Sequence, residues 1–175
     1  MRNLFIIMSI SLFWFFVLDD VKADSDSFGK TYFKGGYKEI NKALQESKDH
    51  FERNIALPTQ LPPIPFTHSM GRFSDSEGLE NDKLEIMFIN KDLPQNHYAI
   101  VIQPIEYALR IKEEKIDQEF KLEDGNQSIY TTTVFLGFNL LVFEKDGLQY
   151  ILSIDKRNSD KVTKEVLINI ANSIK

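Results

Sequence analysis

Cysteine is absent from the 175-residue chain, which excludes disulfides, thiolate nucleophiles and cysteine-ligated metal centres. Tryptophan occurs once, at Trp14, and histidine three times, at His50, His68 and His97. The histidines form no HExxH or other metal-ligand spacing, so the sequence assigns no metal site, and no cofactor motif is present. An excess of basic charge is also lacking: 21 Lys and Arg stand against 26 Asp and Glu, a net charge of −5. No basic run is interleaved with aromatics, and the attraction that drives nucleic-acid binding is missing. Nucleic acid is not an expected partner.

Long hydrophobic runs are equally scarce. The one example follows Arg2 and covers residues 4–18, uncharged and rich in Leu, Ile and Phe, before Asp19 and Asp20 close it. As a helix it would span roughly 22 Å, short of the ~30 Å hydrocarbon core of a bilayer. Val21 and Ala23 then offer β-branched and small side chains at the −3 and −1 positions of a peptidase site. This is the layout of a secretory signal, residues 1–23, with cleavage expected after Ala23. An uncleaved signal is the alternative, and the chain's expected route to a membrane. The segment carries two basic and two acidic residues, so its removal leaves the net charge at −5. The expected location is secreted or associated with the cell envelope.

What the chain does have is concentrated proline. Four of its six prolines, Pro58, Pro62, Pro63 and Pro65, fall within residues 55–66. Each fixes its own φ and pushes the preceding residue to extended geometry, so neither helix nor central strand can run through. The segment marks a boundary between one helical pattern and a series of strand patterns. Its apolar residues Leu57, Leu61, Ile64 and Phe66 read as packing over the sheet edge rather than as an exposed strip.

Residues 24–36 contain Asp24-Ser25-Asp26-Ser27 and Gly35-Gly36 and read as a flexible linker. Residues 37–175 read as a single domain, since 42% hydrophobic residues in a chain of this length suffice for one core. Tyr37, Ile40, Leu44 and Phe51 predict a helix over 37–54. Residues 69–83, rich in Gly, Ser, Asp and Glu, predict a surface loop. Residues 84–90 and 98–103 predict antiparallel neighbours, the second central because it is apolar on both faces. Tyr107, Leu109 and Ile111 alternate, as do Ile116, Phe120 and Leu122 on the opposite parity, with a turn or bulge at 112–115.

A turn at 123–126 leads into a strand over 128–134, broken near Leu136-Gly137. Residues 139–145 and 148–154 flank Asp146-Gly147, the signature of a two-residue type I′ hairpin loop. That register places Leu141, Phe143, Leu148, Tyr150 and Leu152 on one face, against the helices. Leu140, Val142 and Ile151 take the other face, with Glu144 and Gln149 at its solvent end. Val162, Val166, Leu167, Ile170 and Ile174 predict a closing helix from Ser159, with Ser159 or Asp160 as N-cap. The expected fold class is α+β, a mainly antiparallel twisted sheet of about six strands packed by an N-terminal and a C-terminal helix.

Catalytic motifs are sparse. Ser27-Phe28-Gly29-Lys30 and Ser153-Ile154-Asp155-Lys156 match Ser-x-x-Lys, without the Ser-Asp-Asn or Lys-Thr-Gly partners of the penicillin-recognising enzymes. Glu113, Glu114, Asp117 and Glu119 lie among Lys115 and Lys121 and read as a solvated charged face. No nucleophile elbow, phosphate-binding glycine loop or calcium loop occurs. No catalytic residue is therefore assigned.

The run Glu46-Ser47-Lys48-Asp49-His50-Phe51 leading into Ile55-Ala56-Leu57-Pro58-x-x-Leu61-Pro62, together with Tyr150-Ile151-Leu152 and residues 166–174, resembles an uncharacterised exported domain family of Gram-positive spore-formers. Its members occur as free secreted or lipoprotein chains and in extracytoplasmic parts of anti-sigma-factor-like proteins. The resemblance covers roughly residues 45–175 and implies an extracytoplasmic domain with no activity to carry over. This chain lacks a lipobox cysteine and a cytoplasmic sigma-binding part. The expected function is a secreted, non-enzymatic module that binds an envelope protein, peptide or lipid. The alternative is a secreted hydrolase with a dispersed site and His68 or His97 as general base.

Overall fold

A computed structural model describes residues 27–75 and 82–175. The signal segment and the cleavage position at Ala23 lie outside the described residues. Among the described residues, seven strands form one antiparallel sheet: β1 (His68–Ser74), β2 (Lys83–Ile89), β3 (His97–Pro104), β4 (Gln118–Lys121), β5 (Gln127–Thr131), β6 (Phe138–Lys145) and β7 (Leu148–Asp155). Their order across the sheet is β1-β2-β3-β7-β6-β5-β4, so β1 and β4 are the edges. The α-helices among the described residues are α1 (Ser27–Lys34), α2 (Ile40–Phe51) and α3 (Lys164–Asn172), which flank it. The fold is α+β.

The β6–β7 hairpin has the register its loop demands. Lys145 faces Leu148, Phe143 faces Tyr150 and Leu141 faces Leu152. Asp146 and Gly147 both take positive φ, at 53° and 74°, as a type I′ turn requires. The Phe143 and Tyr150 rings stack with centroids 5.2 Å apart. Their face, continued by Leu84, Ile86, Ile100 and Ile102, joins Ala43 of α2 and Leu167 and Ile170 of α3 in the main core. The opposite face holds Leu140, Val142 and Ile151 in a smaller cluster with Leu109 and Ile111. β3 is central as expected, paired to β2 on one side and β7 on the other.

The proline segment folds back over the main core. Ile55 and Ile64 are buried, and Ala56, Leu57, Leu61 and Phe66 pack against them. Pro58 bridges to Ile174, and the Thr59 amide donates to the Ser173 hydroxyl, so the segment is tied to the end of the closing helix. The Tyr150 hydroxyl donates to the Ala56 carbonyl, while burial pushes its pKa up to about 12.

Four expectations are corrected. Residues 27–34, within the stretch read as a linker, form α1, because Phe28 and Tyr32 at i and i+4 share a face and cover Met70, Met87 and Ile89 on the back of the sheet. Residues 68–74, mostly assigned to a loop, form β1 and raise the strand count from about six to seven. Serine and glycine concealed the alternation of Met70 and Arg72 with Gly71 and Phe73. The first full helix is shorter than 37–54: Glu52 adopts left-handed geometry at φ 51° and ends it. The last begins at Lys164 behind Thr163, not at Ser159, whose hydroxyl is used in a 3-10 turn, donating to the Lys156 carbonyl and accepting from Asn139.

Candidate functional site

Gln149 was expected at the solvent end of the back face, and it is buried. The cause is a strap formed by residues 108–111, which crosses that face after the 3-10 turn Ile105–Tyr107. The Leu109 amide donates to the Gln149 Oε1 at 2.7 Å, and the Gln149 Nε2 donates back to the Leu109 carbonyl at 3.1 Å. Gln103 donates to the same Oε1 and to the Tyr107 carbonyl. One side-chain amide thus pairs with an extended chain as a neighbouring strand would, and Leu109 and Ile111 seal Leu140, Val142 and Ile151 beneath it.

Beside the strap lies a groove of about 420 Å³. Its floor is made by back-face positions of three strands, Gln127 and Ile129 of β5, Val142 and Glu144 of β6, and Gln149 of β7, with Arg110 and Ile111 on the strap side. Ile129 is half-buried, whereas Arg110, Gln127 and Glu144 are exposed. One cation and one carboxylate sit among apolar and amide groups. No histidine, serine or threonine lines it. The surface can hold an extended chain and orient it, and it offers no acid–base pair.

The histidines are dispersed. His68 and His97 both face the back of the sheet, with Ile89 between them in register. His68 is buried at 3% exposure, its Nδ1 2.8 Å from the Thr67 hydroxyl and its ring 5.2 Å from Phe28. His97 lies edge-on to Phe138 at 5.3 Å. Burial lowers its pKa, with Asp155 and Glu85 opposing more weakly. Asp155 is engaged by Arg157, whose Nε and Nη2 donate to its two oxygens, and those bonds hold its carboxyl below the usual range. Neither ring lines the groove beside the strap. His50 is elsewhere, at the end of α2, with Nε2 2.7 Å from Oδ2 of Asp82.

The Ser-x-x-Lys matches fall within secondary structure, and the carboxylates divide between a 3-10 turn and the β4–β5 pair. Ser27 and Lys30 belong to α1, and Ser153 and Lys156 stand at the end of β7 and the turn after it. Glu113 and Glu114 are exposed in a 3-10 turn, and Glu119 is exposed on β4. Asp117 accepts from the Thr132 amide and hydroxyl at 2.6 and 2.8 Å, which closes the end of the β4–β5 pair. Sequence reasoning missed the groove because it is made by a segment without regular structure. The available signal was the alternation of Leu109 and Ile111 opposite an apolar outer face. No helix among the described residues is long and apolar enough to cross a membrane. No protein-family model, curated protein or solved structure matches the chain.

Proposed function

We propose that the chain is an exported, non-enzymatic binding module of the cell envelope that holds an extended peptide segment of a partner protein in the groove beside the strap. The observation that carries this reading is the strap itself. The back of the sheet already accommodates one extended stretch, through apolar side chains and a side-chain amide that pairs with backbone. The adjoining floor repeats that chemistry beside the strap with half-buried Ile129 and exposed Gln127. A peptide with alternating apolar residues meets such a surface in the way strand-like ligands commonly do. Export is supported by the signal-like segment that ends at Ala23.

The binding half is tested by panning a random peptide library against the purified protein. The variants Ile129→Asp and Arg110→Glu change the groove at a half-buried and an exposed position. Enriched peptides are expected to bind the parent at least ten-fold more tightly than Ile129→Asp, with both proteins melting alike. Equal binding to parent and variant, or cleavage of the peptides, contradicts the reading. The export half is tested by intact mass. The expected product begins at Asp24 and lacks Trp14, and a product that keeps Trp14 contradicts it.

A further inference from the structure

Donor atoms of mixed chemistry meet where the last turn of α2 passes the open ends of β1 and β2. Asp75 directly follows β1 and Asp82 directly precedes β2, while His50 reaches over from α2. One ligand atom of each residue lies within 4.8 Å of the other two. The His50 and Asp82 side chains are 27% and 1% exposed, and Asp75 is exposed. The group is therefore closed on the protein side by a buried carboxylate and open on the other.

His50 is fixed by packing as well as by Asp82. Its ring sits 5.5 Å from Phe51 and 5.0 Å from Phe73, and those two rings meet edge to face at 5.5 Å. Such a clamp removes the rotamer freedom that a binding event would otherwise have to freeze. A carboxylate withdrawn from water is costly unless positive charge accompanies it. Asp82 is held 2.7 Å from the His50 Nε2, and a divalent cation seated between them would add positive charge beside the buried carboxylate.

We propose that His50, Asp75 and Asp82 form a binding site for a divalent transition cation, with Zn²⁺ the best fit. One imidazole nitrogen and two carboxylate oxygens suit Zn²⁺; Ca²⁺ takes an all-oxygen shell and Mg²⁺ keeps most of its waters. With ligand bonds of about 2.0–2.2 Å, tetrahedral donors stand roughly 3.3–3.6 Å apart. The 2.7 Å His50–Asp82 pair opens slightly to reach that spacing, and Asp75 closes in from the solvent side. The ion takes the Nε2 lone pair of the neutral imidazole, whose single hydrogen is then carried on Nδ1. A fourth position faces water. The ion ties the ends of β1 and β2 to α2, on the opposite face of the sheet from the groove and toward the opposite edge, so this site stands or falls separately from the peptide-binding reading.

The test is titration of the purified protein with ZnCl₂ by calorimetry, with thermal melts of the parent, Asp75→Asn and His50→Gln. The parent is expected to bind one Zn²⁺ per chain and to melt higher with it, while Ca²⁺ leaves the melt unchanged. Asp75→Asn is expected to bind at least ten-fold more weakly yet melt like the parent without metal, because Asp75 is exposed. His50→Gln is expected to weaken binding at least as much, and X-ray absorption of the zinc-loaded parent to show one nitrogen among light oxygen donors. Absence of Zn²⁺ binding, or affinity unchanged in Asp75→Asn, overturns the proposal.

Discussion

Gly71 of β1 lies directly under Ala43 of α2: a Cβ placed on Gly71 would come within 2.8 Å of the Ala43 Cβ and 3.2 Å of the Ile40 Cα. Two small residues therefore let helix and edge strand approach backbone to backbone. The Gly71 amide and carbonyl are also exchanged with those of Lys38, which partly covers the edge that β1 would otherwise expose. Gly71→Ala is expected to push α2 outward and destabilise the fold by about 1–3 kcal/mol, the usual cost of overpacking. A urea midpoint equal to the parent's would refute the close contact.

The β6–β7 turn gives a second expectation. Gly147 has φ +74°, and a side chain there would also stand 2.7 Å from an Arg53 guanidinium nitrogen. Gly147→Val is expected to cost about 1–3 kcal/mol through backbone strain at a β-branched residue. Asp146→Asn, at φ 53°, should stay within about 0.5 kcal/mol because both residues tolerate left-handed geometry. Denaturant unfolding of the two variants side by side distinguishes turn strain from a general effect of mutating the loop.

Tyr98 is fully buried, and its hydroxyl has no hydrogen-bond partner among the described residues. The ring stacks on Phe88, 5.9 Å away, so its apolar body is well used. Burial raises the hydroxyl's pKa far above the tyrosine range, consistent with a group withdrawn from water. Tyr98→Phe keeps the ring and removes an unsatisfied polar atom, and it is expected to leave stability unchanged or raise it by about 1 kcal/mol. A melting temperature several degrees lower would reveal a partner for the hydroxyl.

His97 makes stability depend on pH. Burial lowers its pKa in the folded protein, while the unfolded residue titrates near 6.5. Between those two values the unfolded state holds more protons, so stability rises with pH through that window. The His97 contribution is complete above about pH 6.5 and is lost as pH falls through the folded pKa. Asp155, whose pKa is lowered chiefly by the hydrogen bond from Arg157, acts in a separate window: its contribution is present above about 3.9 and lost below it. His97→Gln is expected to flatten the fall in melting temperature between pH 7 and 5, and an unchanged slope would count against a buried, neutral His97.

Where a local signal was strong, the sequence was legible. Asp146-Gly147 has its register because the turn geometry and the apolar alternation agree. The proline segment packs against the protein as its apolar residues imply, though over the main-core face rather than the sheet edge. What stayed hidden was set by contacts distant in sequence. β1 reads as a loop because Gly71 serves a helix 28 positions earlier, at Ala43, rather than its own strand. α1 looks too polar for structure until Met70, Met87 and Ile89 supply a surface for Phe28 and Tyr32. Gln149 looks solvated until Leu109 arrives as its backbone partner. The His50–Asp82 pair joins residues 32 apart, a separation at which no motif survives.

The most direct test of the binding account is a titration of isotope-labelled protein with a peptide enriched by panning, followed by amide chemical shifts. The account predicts that the largest changes cluster at residues 109–111, Gln127, Ile129, Val142 and Glu144, and that Ile129→Asp abolishes them. Changes confined to the main-core face of the sheet, or a peptide bound without disturbing the strap, would contradict it.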